Sequence, residues 1–193
     1  MMSKLYSNYV KRIETVLNSF DWQLVHQLSL NLQQAWESGD TVFLCGNGGS
    51  AGNAIHLAND FLYGISSEIS EPGLRVEALS ANSAVLTCLA NDIDYSEIFS
   101  EQLRVKADAE DLLIVLSGSG NSRNVVQALE TGNTIGMKTF AILGFSGGEC
   151  LNLAKVPIHF MVNDMQIAED LQLIVGHMCM QWLSEKIKKI HGQ

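Results

Sequence analysis

Five short apolar runs constrain this chain more than any other feature: TVFLCG, LRVEALS, DLLIVLS, KTFAILG and VPIHFMV. Strands that are apolar throughout, instead of alternately, are covered on both faces. Between these runs the apolar residues recur every three or four positions, which is helical spacing. Short buried strands alternating with helices predict a parallel sheet between two helical layers. The expected fold is therefore an α/β three-layer sandwich with a five-stranded parallel sheet.

Extra helices flank that core. Tyr9, Ile13, Val16 and Leu17, then Leu24, Leu28, Leu32 and Trp36, predict a helical pair at about 4–38. Asp21 is placed to cap the second helix and Gly39 to stop it. The run from Met165 to Ile190 reads as one helix, with Leu171, Ile174, Val175, Met178, Trp182 and Leu183 on its apolar face. Apolar stripes on these outer helices exceed what one sheet needs, which points to self-association. No repeat, linker or composition break divides the chain, so residues 1–193 are read as a single domain.

The balance of charges narrows the partners. The formal net charge is -9 and there is no basic run. Such a chain does not attract nucleic acid or an anionic membrane through its overall field. An anionic ligand must be held locally, by backbone N–H groups and hydroxyls. No apolar run reaches the ~18 residues of a membrane span, and the first residues are too mixed in charge for a signal peptide. Cys45, Cys88, Cys150 and Cys179 form no C-x-x-C pair and read as reduced thiols of a cytoplasmic protein.

Two turns carry the chemistry. Gly46-Asn47-Gly48-Gly49-Ser50 follows the first strand, and Ser117-Gly118-Ser119-Gly120-Asn121-Ser122 follows the third. Each leads from a strand into a helix. Glycine permits positive φ and close backbone approach. The helix start presents unpaired N–H groups with partial positive charge, and serine and asparagine add donors. Together these describe a phosphate cradle that uses no lysine. The alternative, two tight turns with ordinary helix caps, is weakened by the repetition of the layout. Gly46-x-Gly48-x-x-Ala51 meets the loose dinucleotide pattern but lacks an acidic residue at a strand end about 20 positions on, and neither turn has the Gly-Lys of a P-loop.

His56 and Asp60 follow the first turn, four residues apart. That spacing puts both on one helix face and suits two ligands on one metal. His26, His159 and His191 have no partner pattern and are given no role.

CGNGGSA with the following His-x-x-x-acid, ANDIDYSEIFSEQL, SGSGNSRNVVQAL and the late helix with His177 together resemble the sugar isomerase (SIS) domain family, in its phosphoheptose isomerase branch. The resemblance implies a flavodoxin-like sheet. It also implies conversion of sedoheptulose 7-phosphate to D-glycero-D-manno-heptose 7-phosphate, for heptose precursors of lipopolysaccharide or capsule. The phosphosugar would contact Asn47, Gly48, Gly49 and Ser50, then Asn91 and Asp92, then Ser117, Gly118, Ser119 and Ser122, with Glu169. One zinc ion per subunit would be held by His56, Asp60, Glu169 and His177. Asp60 and His177 would carry the proton transfers. The family builds such sites at subunit interfaces of a homotetramer in the cytoplasm.

The chain also departs from the family pattern. Asp60 stands where glutamate is usual, and Glu169-Asp170 where glutamine then glutamate is usual. Tyr63-Gly64-Ile65 stands where Gly-Arg-Tyr is common, so an arginine is missing. Isomerisation of a different sugar phosphate therefore stays open. Two other classes also remain. One is a non-catalytic SIS adaptor of the replication initiator, which would lack the acid and histidine retained here. The other is a phosphosugar sensor, which would need a DNA-binding module. Eight positions separate Glu169 from His177, about 12 Å along an unbroken helix. One ion would collect both only across subunits or through an irregular helix.

Overall fold

The computed structural model describes residues 2–66 and 71–190. Helices α1 (Met2–Ser19) and α2 (Gln23–Ser38) lead into strand β1 (Thr41–Gly46). The chain continues through α3 (Gly49–Asn59), a π-helical turn (Asp60–Gly64), β2 (Arg75–Ala78), α4 (Ser83–Asp92) and α5 (Ser100–Lys106). Then come β3 (Leu112–Ser117), α6 (Arg123–Ile135), β4 (Lys138–Leu143), α7 (Cys150–Leu153), β5 (Val156–His159) and α8 (Met165–Ile190).

All neighbouring strands pair in parallel, in the order β2-β1-β3-β4-β5. This is the flavodoxin-like order, in which the chain reverses direction across the sheet between β1 and β3. The strand period of two splits the apolar side chains between two cores. Val42, Leu44, Leu112, Ile114, Phe140 and Ile142 face α2, α3 and α8. Phe43, Cys45, Leu113, Val115, Ala141 and Leu143 face α5, α6 and α7. Each fully buried large side chain stabilises the fold by roughly 1.5–3 kcal/mol, so both cores tie helices firmly to the sheet.

The expected helical pair at 4–38 is present, with one adjustment at its junction. Trp22, not Asp21, occupies the cap position of α2 and makes no side-chain cap bond. Asp21 acts one residue earlier, its Oδ1 accepting the N–H of Gln23 at 3.1 Å. Gly39 ends α2 with φ 76°, its N–H donating to Ala35 O. β2 and β5 are shorter than their apolar runs. Both are edge strands, each paired with one neighbour only. Phe160 and Val162 stay buried beyond the end of β5. Among the described residues no helix is long and apolar enough to cross a membrane. His191 lies outside them.

Candidate active site

The C-terminal ends of β1 and β3 lie side by side at the point where strand order reverses, the usual ligand crevice of an open α/β sheet. Both glycine- and hydroxyl-rich turns emerge there. Gly48 caps α3 with φ 56°, a conformation that favours glycine, and no side chain caps the helix start. The first N–H groups of α3 are thus left for a ligand.

A pocket of about 240 Å³ opens between the turns. It is lined by Asn47, Gly48, Gly49 and Ser50 from the first, and by Leu116, Ser117, Gly118, Ser119 and Ser122 from the second. Met165 and Glu169 at the start of α8 complete it. No lysine or arginine lines it among the described residues. Ser117 Oγ accepts the Gly120 N–H at 3.0 Å and so shapes the second turn. Ser122 caps α6 by position, without a side-chain cap bond.

Asn91 and Asp92 are not among the lining residues. They sit at the exposed end of α4, where Asn91 Nδ2 donates to Asp92 Oδ1 at 2.7 Å and Cys88 Sγ to Asp92 Oδ2 at 3.4 Å. These bonds, Asn91 first, hold the Asp92 carboxyl below its ordinary range. That segment reaches the pocket instead through Tyr95, whose hydroxyl donates to Asn47 Oδ1 at 3.1 Å.

Helices α3 and α8 form the wall of the site. Leu57 packs onto Gly176. Gln172, 1% exposed, donates to Ser50 Oγ at 3.0 Å, while Asn53 Nδ2 donates to Gln172 Oε1 at 2.9 Å and Glu169 O at 3.0 Å. This stitching sets Glu169 against the first turn. A Cβ added at Gly49 would land on the Glu169 carboxylate.

Further along the same two helices, three metal-ligand groups converge. His56 Nε2 lies 2.9 Å from His177 Nε2, and Asp60 Oδ2 lies 3.4 Å from the first and 3.3 Å from the second. A nitrogen pair so close requires one ring to present a proton and the other a lone pair, or both to face a cation. Ligands about 2.0–2.2 Å from a tetrahedral ion stand roughly 3.3–3.6 Å from one another. The two Asp60 distances match that spacing, whereas the two histidine nitrogens, 2.9 Å apart, would have to part by roughly 0.4 Å to share an ion. Asp60 opens the π-helical turn, where Ile65 N–H donates to Asp60 O at 3.1 Å. Such wide turns recur at functional sites.

Glu169 is not in this group, which among the described residues contains His56, Asp60 and His177 alone. It stands two helical turns away in an unbroken α8, beside the pocket instead. Within one chain the expected four-ligand set is thus a three-ligand set.

No cysteine is primed as a nucleophile. Burial pushes the Cys45 thiol up, Cys150 up to about 12 and Cys179 up to about 11. The exposed Cys88 is raised by its bond to Asp92. Sequence reasoning passed over Tyr95, Met165, Gln172 and Asn124. Tyr95 and Asn124 lie within the quoted runs ANDIDYSEIFSEQL and SGSGNSRNVVQAL, while Met165 and Gln172 flank Glu169 on the last helix.

Residues 5–144 match the SIS domain family. The chain is similar to the phosphoheptose isomerase of Chlorobaculum parvum, 34% identical over 176 residues, covering 90% of this chain and 83% of that one. It is similar to that of Chlorobium phaeobacteroides at 37% over 176 residues, covering 91% and 76%. The fold superposes on a phosphoheptose isomerase from Francisella tularensis with TM-score 0.87 at 24% identity, over 95% of this chain and 98% of the other.

Proposed function

Because the chain belongs to the SIS domain family, of the phosphoheptose isomerase type, we propose that it interconverts sedoheptulose 7-phosphate and D-glycero-D-manno-heptose 7-phosphate through an enediol. The supporting observation is a single seam. The anion-suited pocket and the His56–Asp60–His177 group lie along the same pair of helices, α3 and α8. From Gly49 to His56 the helix rises about 10 Å, and from Glu169 to His177 about 12 Å. A phosphate in the cradle would leave an extended sugar chain running toward the histidines. A short sugar phosphate would fall short of them.

In this reading the N–H groups at the starts of α3 and α6, with Ser119 and Ser122, hold the phosphate. Glu169 repels a second anion from the near side of the pocket and accepts hydrogen bonds from sugar hydroxyls. Asp60 takes the carbon-bound proton between C1 and C2, and His177 moves the oxygen-bound proton. His56 orients both. The three groups suit zinc; when bound, the ion would polarise the carbonyl and stabilise the developing oxyanion, and a His177 nitrogen holding it would then act as a ligand in place of moving the proton. Asp60 is one methylene shorter than the family's usual glutamate, yet it already reaches both rings.

Ile55, Leu62, Tyr63 and Met178, next to or within three residues of His56, Asp60 and His177 along the chain, are exposed apolar residues. They support a homotetramer in which a neighbouring subunit closes the site. The reaction is placed in the cytoplasm, ahead of heptose incorporation into lipopolysaccharide or capsule.

The test is turnover of sedoheptulose 7-phosphate by purified protein, before and after chelation and with zinc restored. Formation of the aldoheptose phosphate is expected. No turnover with zinc present would remove the proposal and favour an adaptor or sensor.

A further inference from the structure

A half-buried side-chain pair joins the two turns. Asn47 Nδ2 donates to Asn124 Oδ1 at 2.8 Å, and Asn124 Nδ2 donates to Asn47 Oδ1, also at 2.8 Å. Asn47 belongs to the turn after β1. Asn124, 1% exposed, is in the first turn of α6, after β3. Asn124 Oδ1 also accepts the N–H of Val125 at 3.0 Å, which locks its amide to its own helix. The pocket is lined by Asn47 but not by Asn124.

The hydrogen-bond inventory of an amide makes the consequence definite. An amide oxygen has two lone pairs and an amide nitrogen two protons. Asn47 Oδ1 receives both Asn124 Nδ2 and the Tyr95 hydroxyl. Asn47 Nδ2 spends one proton on Asn124 and keeps one. Turning the Asn47 amide over would set donor against donor at Asn124 Nδ2 and acceptor against acceptor at Asn124 Oδ1. Asn47 is therefore held in one orientation, with a single N–H to offer. Neither partner is free to adapt, since Asn124 is fixed by its helix.

We propose that Asn124 is a positioning residue for the phosphosugar site: through this two-way amide pair it fixes the orientation of Asn47 and the spacing of the two turns. It touches no substrate itself. This rests on the phosphosugar reading above. The physical gain is preorganisation. A donor already aimed at the ligand loses no side-chain entropy when the ligand arrives.

The test is a double-mutant cycle on Asn47→Ala and Asn124→Ala, with KM and kcat measured on sedoheptulose 7-phosphate. Net worth of about 0.5–1.5 kcal/mol per hydrogen bond sets the scale. Asn124→Ala should raise KM about tenfold and change kcat by less than about threefold. In the Asn47→Ala background the same substitution should change KM by less than about twofold, because the group it positions is gone. An equal loss in both backgrounds, or an unchanged KM in Asn124→Ala, would overturn the proposal. Asn124→Thr, which keeps an acceptor for Val125, is the second variant should Asn124→Ala fail to fold; it carries the same expectation.

A second readout is independent of turnover. The Asn47 side-chain amide proton bonded to Asn124, followed by NMR, should exchange slowly in the wild type and at least about tenfold faster in Asn124→Ala. Fast exchange in the wild type would overturn the pair itself. Slow exchange in a wild type that does not turn over sugar phosphate would instead place the failure in the phosphosugar reading.

Discussion

His177 is half exposed and its ring nitrogen meets His56 and Asp60, so its removal should cost chemistry more than fold. His177→Ala should lower kcat by about 10²-fold or more, the usual scale for a lost general acid or base, with an unchanged circular dichroism spectrum. Unchanged turnover would remove His177 from the mechanism. Gly49 tests the other half of the site. A Cβ there meets the Glu169 carboxylate, the far end of a flexible side chain that can swing aside. Gly49→Ala should therefore leave the melting temperature nearly unchanged while raising KM for the sugar phosphate, because the displaced carboxylate and the new methyl group both crowd the pocket. An unchanged KM would mean that Gly49 does not border the ligand. Glu169 also shows where reading by spacing stops. Its distance along the helix from His177 already told against one shared ion within a chain, but only the packing of α8 on α3 puts it beside the phosphate-type turn. Asn124 lies within the quoted run SGSGNSRNVVQAL but is given no role there, because an asparagine in the first turn of a helix reads as a helix-start residue until its partner in the neighbouring turn is known.

Among the elements, α1 is held to the body by polar ties as well as by Tyr9, Ile13, Val16 and Leu17. The Tyr9 hydroxyl donates to Asp170 Oδ2 at 2.5 Å, and Arg12 pairs with Asp164 at 2.8 Å. The hydrogen bond to Asp170 raises the Tyr9 hydroxyl to about 12. A raised folded value means its contribution is complete below the ordinary tyrosine pKa of about 10 and fades as pH rises through about 12. Asp164 is lowered, first by the Ile167 N–H and further by Arg12. Its contribution is complete above the ordinary carboxylate value and is lost as pH falls through the lowered one. Protection of the α1 amides, taken relative to their intrinsic exchange rate at each pH, should therefore be high at neutral pH and fall in acid, and Asp164→Asn should remove much of that acid dependence. An α1 whose exchange ignores both would be held by apolar contact alone. The strands show what a sequence can and cannot place. β1, β3 and β4 follow their apolar runs closely, because each is buried on both faces and all but the runs' ends are paired. β2 and β5 stop early, because an apolar run reports burial while a strand needs a partner, and an edge has one. The π-helical turn at Asp60 had no signal at all, since it differs from the α-helix only in which carbonyl each N–H meets.

For the whole molecule, the apolar surface is uneven. Helix α4 has no buried residue although Val85, Leu86 and Leu89 lie on it, and Leu5, Tyr6 and Val10 are exposed on α1. Together with the exposed Ile55, Leu62, Tyr63 and Met178, these faces are suited to burial between copies of the chain. Light scattering at micromolar concentration should give a mass near four chains, and at the least two. A monomer would contradict a site closed by a neighbour. The central claim, however, is that proton transfer between C1 and C2 is performed by a group the chain itself assembles. Its most direct measurement is turnover of sedoheptulose 7-phosphate in heavy water, followed by proton NMR, with Asp60→Asn as the control. The account predicts that deuterium enters the carbon-bound position next to the carbonyl in wild-type product, and that the Asp60→Asn protein shows neither exchange nor product. Wild-type protein that leaves the sugar phosphate unlabelled and unconverted would contradict it.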